Sequence, residues 1–347
     1  MIFYKKILAR LLTSLVILII SRCNRARLAA SNMLKDNIIN DNLTDISRSI
    51  IDQYKNQQDL IMEKTLKPKL IYQNIGDLPS LENPVSQLCT SNQLASLKYF
   101  YWMKQMNKMP RIHRKEWEWA YISEVLVREN KLINGSFGLG FGCGLEPLPV
   151  LFVKYGSSVT VTDMSEIVAK DHGWLDTSQF AKNLASIYQE NSDLGISLDE
   201  FMFKASYREV DMNKLPHNLG MYDYLWSSCA LEHLGSLKHG LDFVINSCAF
   251  LKPGGVAVHT TEFNLTSNEE TIESEHLSIY RKCDLESLKN MLIDIGVDMD
   301  YLNLENGSAY PDLYVDLPPY KQDTHLRLAV GKFAVTSVGL ILRKRSY

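Results

Sequence analysis

The chain is short of paired cysteines. Its six (Cys23, Cys89, Cys143, Cys229, Cys248 and Cys283) form no CxxC pair and no short-loop framework. That pattern argues against a disulfide scaffold or a structural zinc site and fits a reducing compartment. No apolar run reaches the about 20 residues needed to cross a bilayer. The longest near the start, Leu11 to Ile20, has ten. There is no internal repeat, no low-complexity tract and no excess of Gly or Pro, with 18 and 11 in 347 residues. Collagen, coiled coil and wholesale disorder are thereby excluded. Nor is there a large charge of one sign, since the net charge is -3. The balance is uneven, however. Residues 1–72 hold 12 Lys and Arg against 6 Asp and Glu, which leaves the remainder nine charges negative. A basic front on an acidic body is not the pattern of a nucleic-acid-binding domain, but it suits peripheral contact with an anionic membrane.

What is present divides into four stretches. Residues 1–27 put Lys5, Lys6 and Arg10 before the apolar run and Arg22, Arg25 and Arg27 after it. The run reads either as a signal peptide or as a membrane-surface or core helix; the arginines crowding the cleavage stretch disfavour the signal. Residues 28–85 are polar, with Ile39, Leu43, Ile46 and Ile50 at helix-like spacing, and read as a partly helical linker ending near Pro84. Residues 86–135 read as a helical, aromatic cap. Most of its rings (Tyr99, Trp102, Trp117, Tyr121) suit packing, while His113, Arg114, Lys115 and Glu116 between them would suit a glycan or an anionic substrate. Residues 136–347 carry the motifs.

Phe137 to Gly144 runs from a short apolar strand into Gly140-x-Gly142-x-Gly144, followed by a helical segment from Leu148. Glycines there let backbone approach a ligand at the positive end of a helix. The strand Ser158 to Asp163 then ends in a carboxylate, 23 residues after Gly140, about the spacing at which a second-strand acid reaches a ribose. A dinucleotide site wants G-x-G-x-x-G, and neither register provides it, because Cys143 and Leu145 stand where the third glycine belongs. An NAD-dependent oxidoreductase is disfavoured on that ground. Further on come Val210-Asp211-Met212, then Ser227-Ser228-Cys229-Ala230-Leu231-Glu232-His233, then Leu251-Lys252-Pro253-Gly254-Gly255 and a strand through Thr261.

In that order and spacing the chain resembles the class I S-adenosylmethionine-dependent methyltransferases, in the branch with a Leu-Glu-His run after the fourth strand. The likeness covers residues 136–262 and extends toward the C-terminus, where a helix over Leu285–Ile295 and strands over Leu326–Val330 and Phe333–Leu342 are expected. Together with His113–Trp117 and His259–Asn264, the glycine run also resembles a bacterial subgroup of surface-polysaccharide or secondary-metabolite methyltransferases.

The resemblance implies an α/β, Rossmann-like fold with a seven-stranded, mostly parallel sheet, an antiparallel last strand and an N-terminal helical cap. It implies S-adenosyl-L-methionine as cofactor. Gly140, Phe141, Gly142 and Gly144 would lie against it, Asp163 on the ribose, Met164 beside the adenine, Asp211 and Met212 at the adenine edge, and Ser227 and Ser228 toward the sulfonium. One position departs from the family pattern: Gly138 stands where an acid usually helps hold the cofactor's ammonium group, and Glu146 is the candidate substitute.

A hydroxyl acceptor, glycan or small molecule, would need a base. His233 is the first candidate, with Glu232 as orienter or alternative base, and His259 and Glu262 are second candidates. No cluster of residues reads as a metal site. The runner-up function is a non-catalytic binding or scaffold protein on the same fold. Because the donor is made in the cytosol, the expected location is cytoplasmic, with residues 1–27 as a membrane tether.

Overall fold

The computed structural model describes residues 69–171, 179–321 and 323–346, all within one unit that begins at Pro68. The readings of residues 1–27 and of the linker up to residue 68 lie outside the described residues.

The core is a twisted sheet built around β3 (Phe137–Phe141), β4 (Ser158–Asp163), β5 (Ala205–Glu209), β6 (Tyr222–Ser228) and β7 (Leu251–Asn264). These five are mutually parallel in the order β5-β4-β3-β6-β7. The chain leaves β3 toward β4 on one side and returns to β6 on the other, so the strand order reverses at β3/β6. In open α/β sheets ligands bind outside the carboxyl ends of the strands at such a switch.

β12 (Phe333–Lys344) runs antiparallel to β7 along nine residue pairs, as expected of the reversed last strand. β8 (Val297–Met299) pairs with its far end and completes the seven-stranded core, after the helix Lys282–Asp294. The sheet is nevertheless larger than expected, at ten strands among the described residues. The free edge of β12 is shared along its length by β11 (Leu328–Val330), β1 (Ser86–Leu88) and β8, and β9 (Leu302–Asn303) adds to β1. A separate two-stranded piece joins β2 (Ile112–His113) to β10 (Thr324–His325).

Strand alternation sorts the core into two layers. Tyr224, Trp226, Val256 and Val258 point to one side, where Leu148, Phe152, Trp117 and Tyr121 meet them. Leu139, Phe141, Leu225 and Ala257 point to the other, against Phe243, Leu285 and Leu288. The helix Arg114–Arg128 belongs to the first layer. Tyr121 stacks on Trp117 with centroids 4.8 Å apart, and its ring lies so close to β12 that a Cβ at Gly339 would fall 2.1 Å from it. Trp102 and Trp117 are buried with their indole N–H groups on Glu124 and Gln93, so these rings pack and are satisfied, whereas Tyr101 is exposed.

Candidate active site

Gly138 and Gly140 alternate with Leu139 and Phe141, so both glycines face the first layer. There they lie opposite Tyr224 and Trp226 of β6. A Cβ at Gly138 would stand 2.3 Å from the Tyr224 ring, and one at Gly140 would stand 2.2 Å from the Trp226 ring. The neighbouring strand's aromatics thus account for both positions, Gly138 included. The indole N–H of Trp226 donates to Oε1 of Glu146 at 2.8 Å. Gly142 and Gly144 have a different reason. Their φ angles are +57° and +53°, where L side chains are strained.

That left-handed turn reaches Asp163 at the end of β4. Oδ2 of Asp163 accepts the N–H groups of Gly144 (3.0 Å) and Ala181 (3.1 Å), and Oδ1 accepts that of Met164 (2.9 Å). Burial pushes the carboxyl up to about 6 even against these three bonds. An ionised carboxylate offers roughly four acceptor sites, so Oδ1 keeps one for a ligand hydroxyl. Over the turn, the space a Cβ at Gly142 would take lies 2.8 Å from Ala230 Cβ and 3.4 Å from Met212 Sδ, and the space at Gly144 is covered by the Gln179 carbonyl. Asp211 is exposed and its Oδ1 accepts from Asn213 N–H. Beside it, a cavity of about 380 Å³ is lined by Asp211, Met212, His239, Phe243 and Asn246.

Glu146 is buried just beyond the turn. Burial pushes its carboxyl up to about 8, opposed by Lys115 and the Trp226 bond and reinforced by Glu118 and Asp163. It therefore stands within electrostatic reach of the β4 acid on one side and of a second cluster on the other.

The second cluster surrounds Glu118, a fully buried carboxylate on the helix Arg114–Arg128. Arg114 and Lys115 lie one turn before it, at i−4 and i−3, and pair with it at 3.2 Å each. Its oxygens also accept from Ser228 (3.1 Å) and Cys229 (3.1 Å) at the end of β6, from Thr260 (3.4 Å) on β7 and from Ser337 (2.5 Å) on β12. Burial alone would raise this carboxyl; Lys115 and Arg114 outweigh it and hold it down at about 2. Arg114 pairs in addition with Glu262 of β7, and Lys115 Nζ donates to Ser228 O at 2.8 Å. Each cation already faces a carboxylate. This basic cluster, which by sequence suits an anionic substrate, is internally neutralised.

The expected site residues thus fall into two groups. Gly142, Gly144, Asp163, Met164 and Met212 gather at the turn. Gly140 and Phe141 serve the two packed layers, and Ser228 faces Glu118 and Lys115. Ser227 donates or accepts at His259 Nδ1 (2.8 Å). His259 is fully buried, and burial holds its pKa at about 3, so the ring is neutral.

Glu232 and His233 sit in a single turn, Leu231–His233, after β6. They do not cap the next helix, whose N-cap is Ser236. Glu232 is fully buried, accepts from Thr261 at 3.0 Å, and is raised by burial. His233 Nδ1 lies 2.7 Å from the His276 carbonyl, so Nδ1 bears the proton. Glu118 escapes motif reasoning. Its only local signal is the spacing of Arg114, Lys115 and Glu118 on one helical face.

No family model matches the chain, and neither does any curated protein. Solved structures do. Magnesium protoporphyrin IX methyltransferase from Synechocystis PCC 6803, with bound SAH, is 12% identical with a TM-score of 0.41, over 70% of this chain and 86% of that one. An S-adenosylmethionine-dependent methyltransferase from Mesorhizobium loti is 14% identical (TM-score 0.39; 63% and 96%). The amino pentose methyltransferase CalS10 from Micromonospora echinaspora, SAM-bound, is 11% identical (TM-score 0.36; 64% and 89%). Likenesses of this size say nothing of substrate or residue roles. The strand order β5-β4-β3-β6-β7-β12-β8 stands on its own pairings.

Proposed function

We propose that the chain is an S-adenosylmethionine-dependent methyltransferase acting on an oxygen of a glycan or small molecule. One observation carries this reading: a buried carboxylate, Asp163, beside a left-handed glycine turn at the carboxyl edge of the sheet's switch point. These residues fit a nucleoside. Asp163 keeps an acceptor site for a ribose hydroxyl, Asp211 and Met212 border the adjoining cavity, and Glu146 replaces the missing acid at Gly138 for the ammonium group. A cation there would also relieve the burial cost that keeps Glu146 protonated. When bound, the cofactor supplies an electrophilic methyl group on a sulfonium. The chain's own task is to align the acceptor, exclude water and remove a proton. His233, with Glu232 behind it, is one candidate for the proton.

A non-catalytic scaffold is the competing reading, favoured by the carbonyl of Gln179 over Gly144 and by the three amides already on Asp163. Calorimetric titration of the full chain with S-adenosylmethionine, S-adenosylhomocysteine and NAD separates the readings. Micromolar binding of the two sulfur nucleosides without NAD supports the enzyme. Silence from all three overturns it in favour of the scaffold, and NAD binding alone in favour of an oxidoreductase.

A further inference from the structure

One more imidazole reaches the Glu118 cluster, and no motif points to it. β10 pairs in parallel with β2, which sets His325 opposite His113, with ring centroids 4.7 Å apart. β2 runs directly into the helix that carries Arg114 and Lys115, so this pairing brings His325 to the rim where Arg114 meets Glu262. His325 Nδ1 lies 2.8 Å from Oδ2 of Asp316, which is itself buried. A carboxylate only accepts, so Nδ1 carries the proton and Nε2 carries the lone pair. Asp316 is fixed in turn: its Oδ1 accepts from Lys321 N–H, and its backbone pairs with Arg327 and Ala329. Asp316 both orients the ring and supplies a negative charge that steadies an imidazolium.

Two buried atoms of the adjoining ion pair, Arg114 Nε and Glu262 Oε2, have no hydrogen-bond partner among the described residues. One is a donor and the other an acceptor. A neutral hydroxyl can serve both, whereas an ionised phosphate or carboxylate can serve only the donor. The cations at this rim are already paired, which disfavours an anion further.

We propose that His325, held by Asp316, accepts the proton of a neutral, hydroxyl-bearing acceptor seated against Arg114 and Glu262. This rests on the methyltransferase reading. The hydroxyl oxygen gains the methyl carbon, the donor sulfur keeps the electron pair of the broken carbon–sulfur bond, and the hydroxyl proton ends on His325 Nε2. The ring is faced by Asp316, by His113 from β2, by Arg114, by Glu262 from β7 and by Tyr320, whose centroid is 5.6 Å away. Burial lowers its pKa below the ordinary histidine value against the Asp316 bond, so the ring is neutral and ready near pH 7.

The test uses the full chain with ¹⁵N-labelled histidine, His325→Gln assigning the signal, and S-adenosylhomocysteine as the probe. The expected spectrum shows His325 with Nδ1 protonated and Nε2 bare at pH 7. Adding the probe should shift Nε2, and Asp316→Asn should lower the ring's pKa by about one unit or more. If the wild type binds no probe, the methyltransferase reading falls and this inference falls with it. If the probe binds but His325 is the Nε2–H tautomer, or its Nε2 ignores the probe, the inference alone is overturned. A purely structural ring would keep its tautomer but would not respond to the probe.

Discussion

The two ends of the site are built in opposite ways. The turn end is local: Gly144, Met164 and Ala181 reach Asp163 within about twenty residues of chain, through backbone N–H groups. The Glu118 end is assembled from a helix, the ends of β6 and β7, β12 and the β2–β10 pair, through side chains more than a hundred residues apart. Backbone-built sites depend on few side-chain identities. Side-chain-built sites depend on every member, because each buried charge relies on another.

The largest expected effect tests that dependence. Glu118→Ala leaves Arg114 and Lys115 without their shared carboxylate in a buried setting, and we expect a loss of about 3–5 kcal/mol in urea unfolding. Replacing the whole group together with neutral residues (Arg114→Met, Lys115→Met, Glu118→Leu, Glu262→Gln) should recover most of it, since no uncompensated charge is left. If the single and quadruple variants are equally destabilised, the cluster is not an interdependent unit.

At the turn end, Asp163→Ala should cost at least about 100-fold in affinity for S-adenosylmethionine, near 2.7 kcal/mol, by calorimetry. An unchanged affinity would withdraw the nucleoside assignment from Asp163. Because three amides lose their acceptor, a lower melting temperature should accompany the loss.

This contrast also explains what could be read without coordinates. The strands Phe137–Phe141 and Ser158–Asp163, the helix from Leu148 and the closing β11–β12 hairpin were legible because period-2 alternation, glycine spacing and a terminal carboxylate are local signals. The helix expected over Leu285–Ile295 begins at Lys282, where Arg281 and Asp284 form a capping interaction. The extra strands β1 and β9 were not legible, since two or three residues carry no periodicity and their pairing with β12 is set by the fold. The same holds for Glu118 and His325, whose meaning lies in partners from distant segments. Gly138 reads as a missing acid in the sequence, which does not show that Tyr224 lies beside it.

That last point yields the next test. Gly138→Ala should cost about 1–3 kcal/mol, because its Cβ would stand 2.3 Å from the Tyr224 ring. Combining it with Tyr224→Leu should restore part of the loss. If Gly138→Ala is neutral in unfolding experiments and sharpens cofactor binding instead, the position belongs to the ligand and not to the ring.

The smallest effect lies where the two ends meet, at Glu146. Its folded pKa near 8 lies above the ordinary carboxyl value of 4.5, so the folded chain holds a proton there that the unfolded chain has released. Stability from this group is full below about pH 4.5 and is lost as pH rises through 8. His113 and His259, both held near 3, act oppositely, but their contribution changes below about pH 6.5, and Asp163 near 6 is largely titrated by then. Between pH 6.5 and 8 Glu146 therefore dominates among these four. Relative to Glu146→Gln, which should flatten the slope, the wild type should lose about 1–2 kcal/mol across that window. Saturating S-adenosylmethionine should flatten it as well, because an ammonium group beside Glu146 favours the ionised carboxylate. If the cofactor binds and the slope persists, Glu146 does not hold the ammonium, and the acid missing at Gly138 has no replacement at this turn.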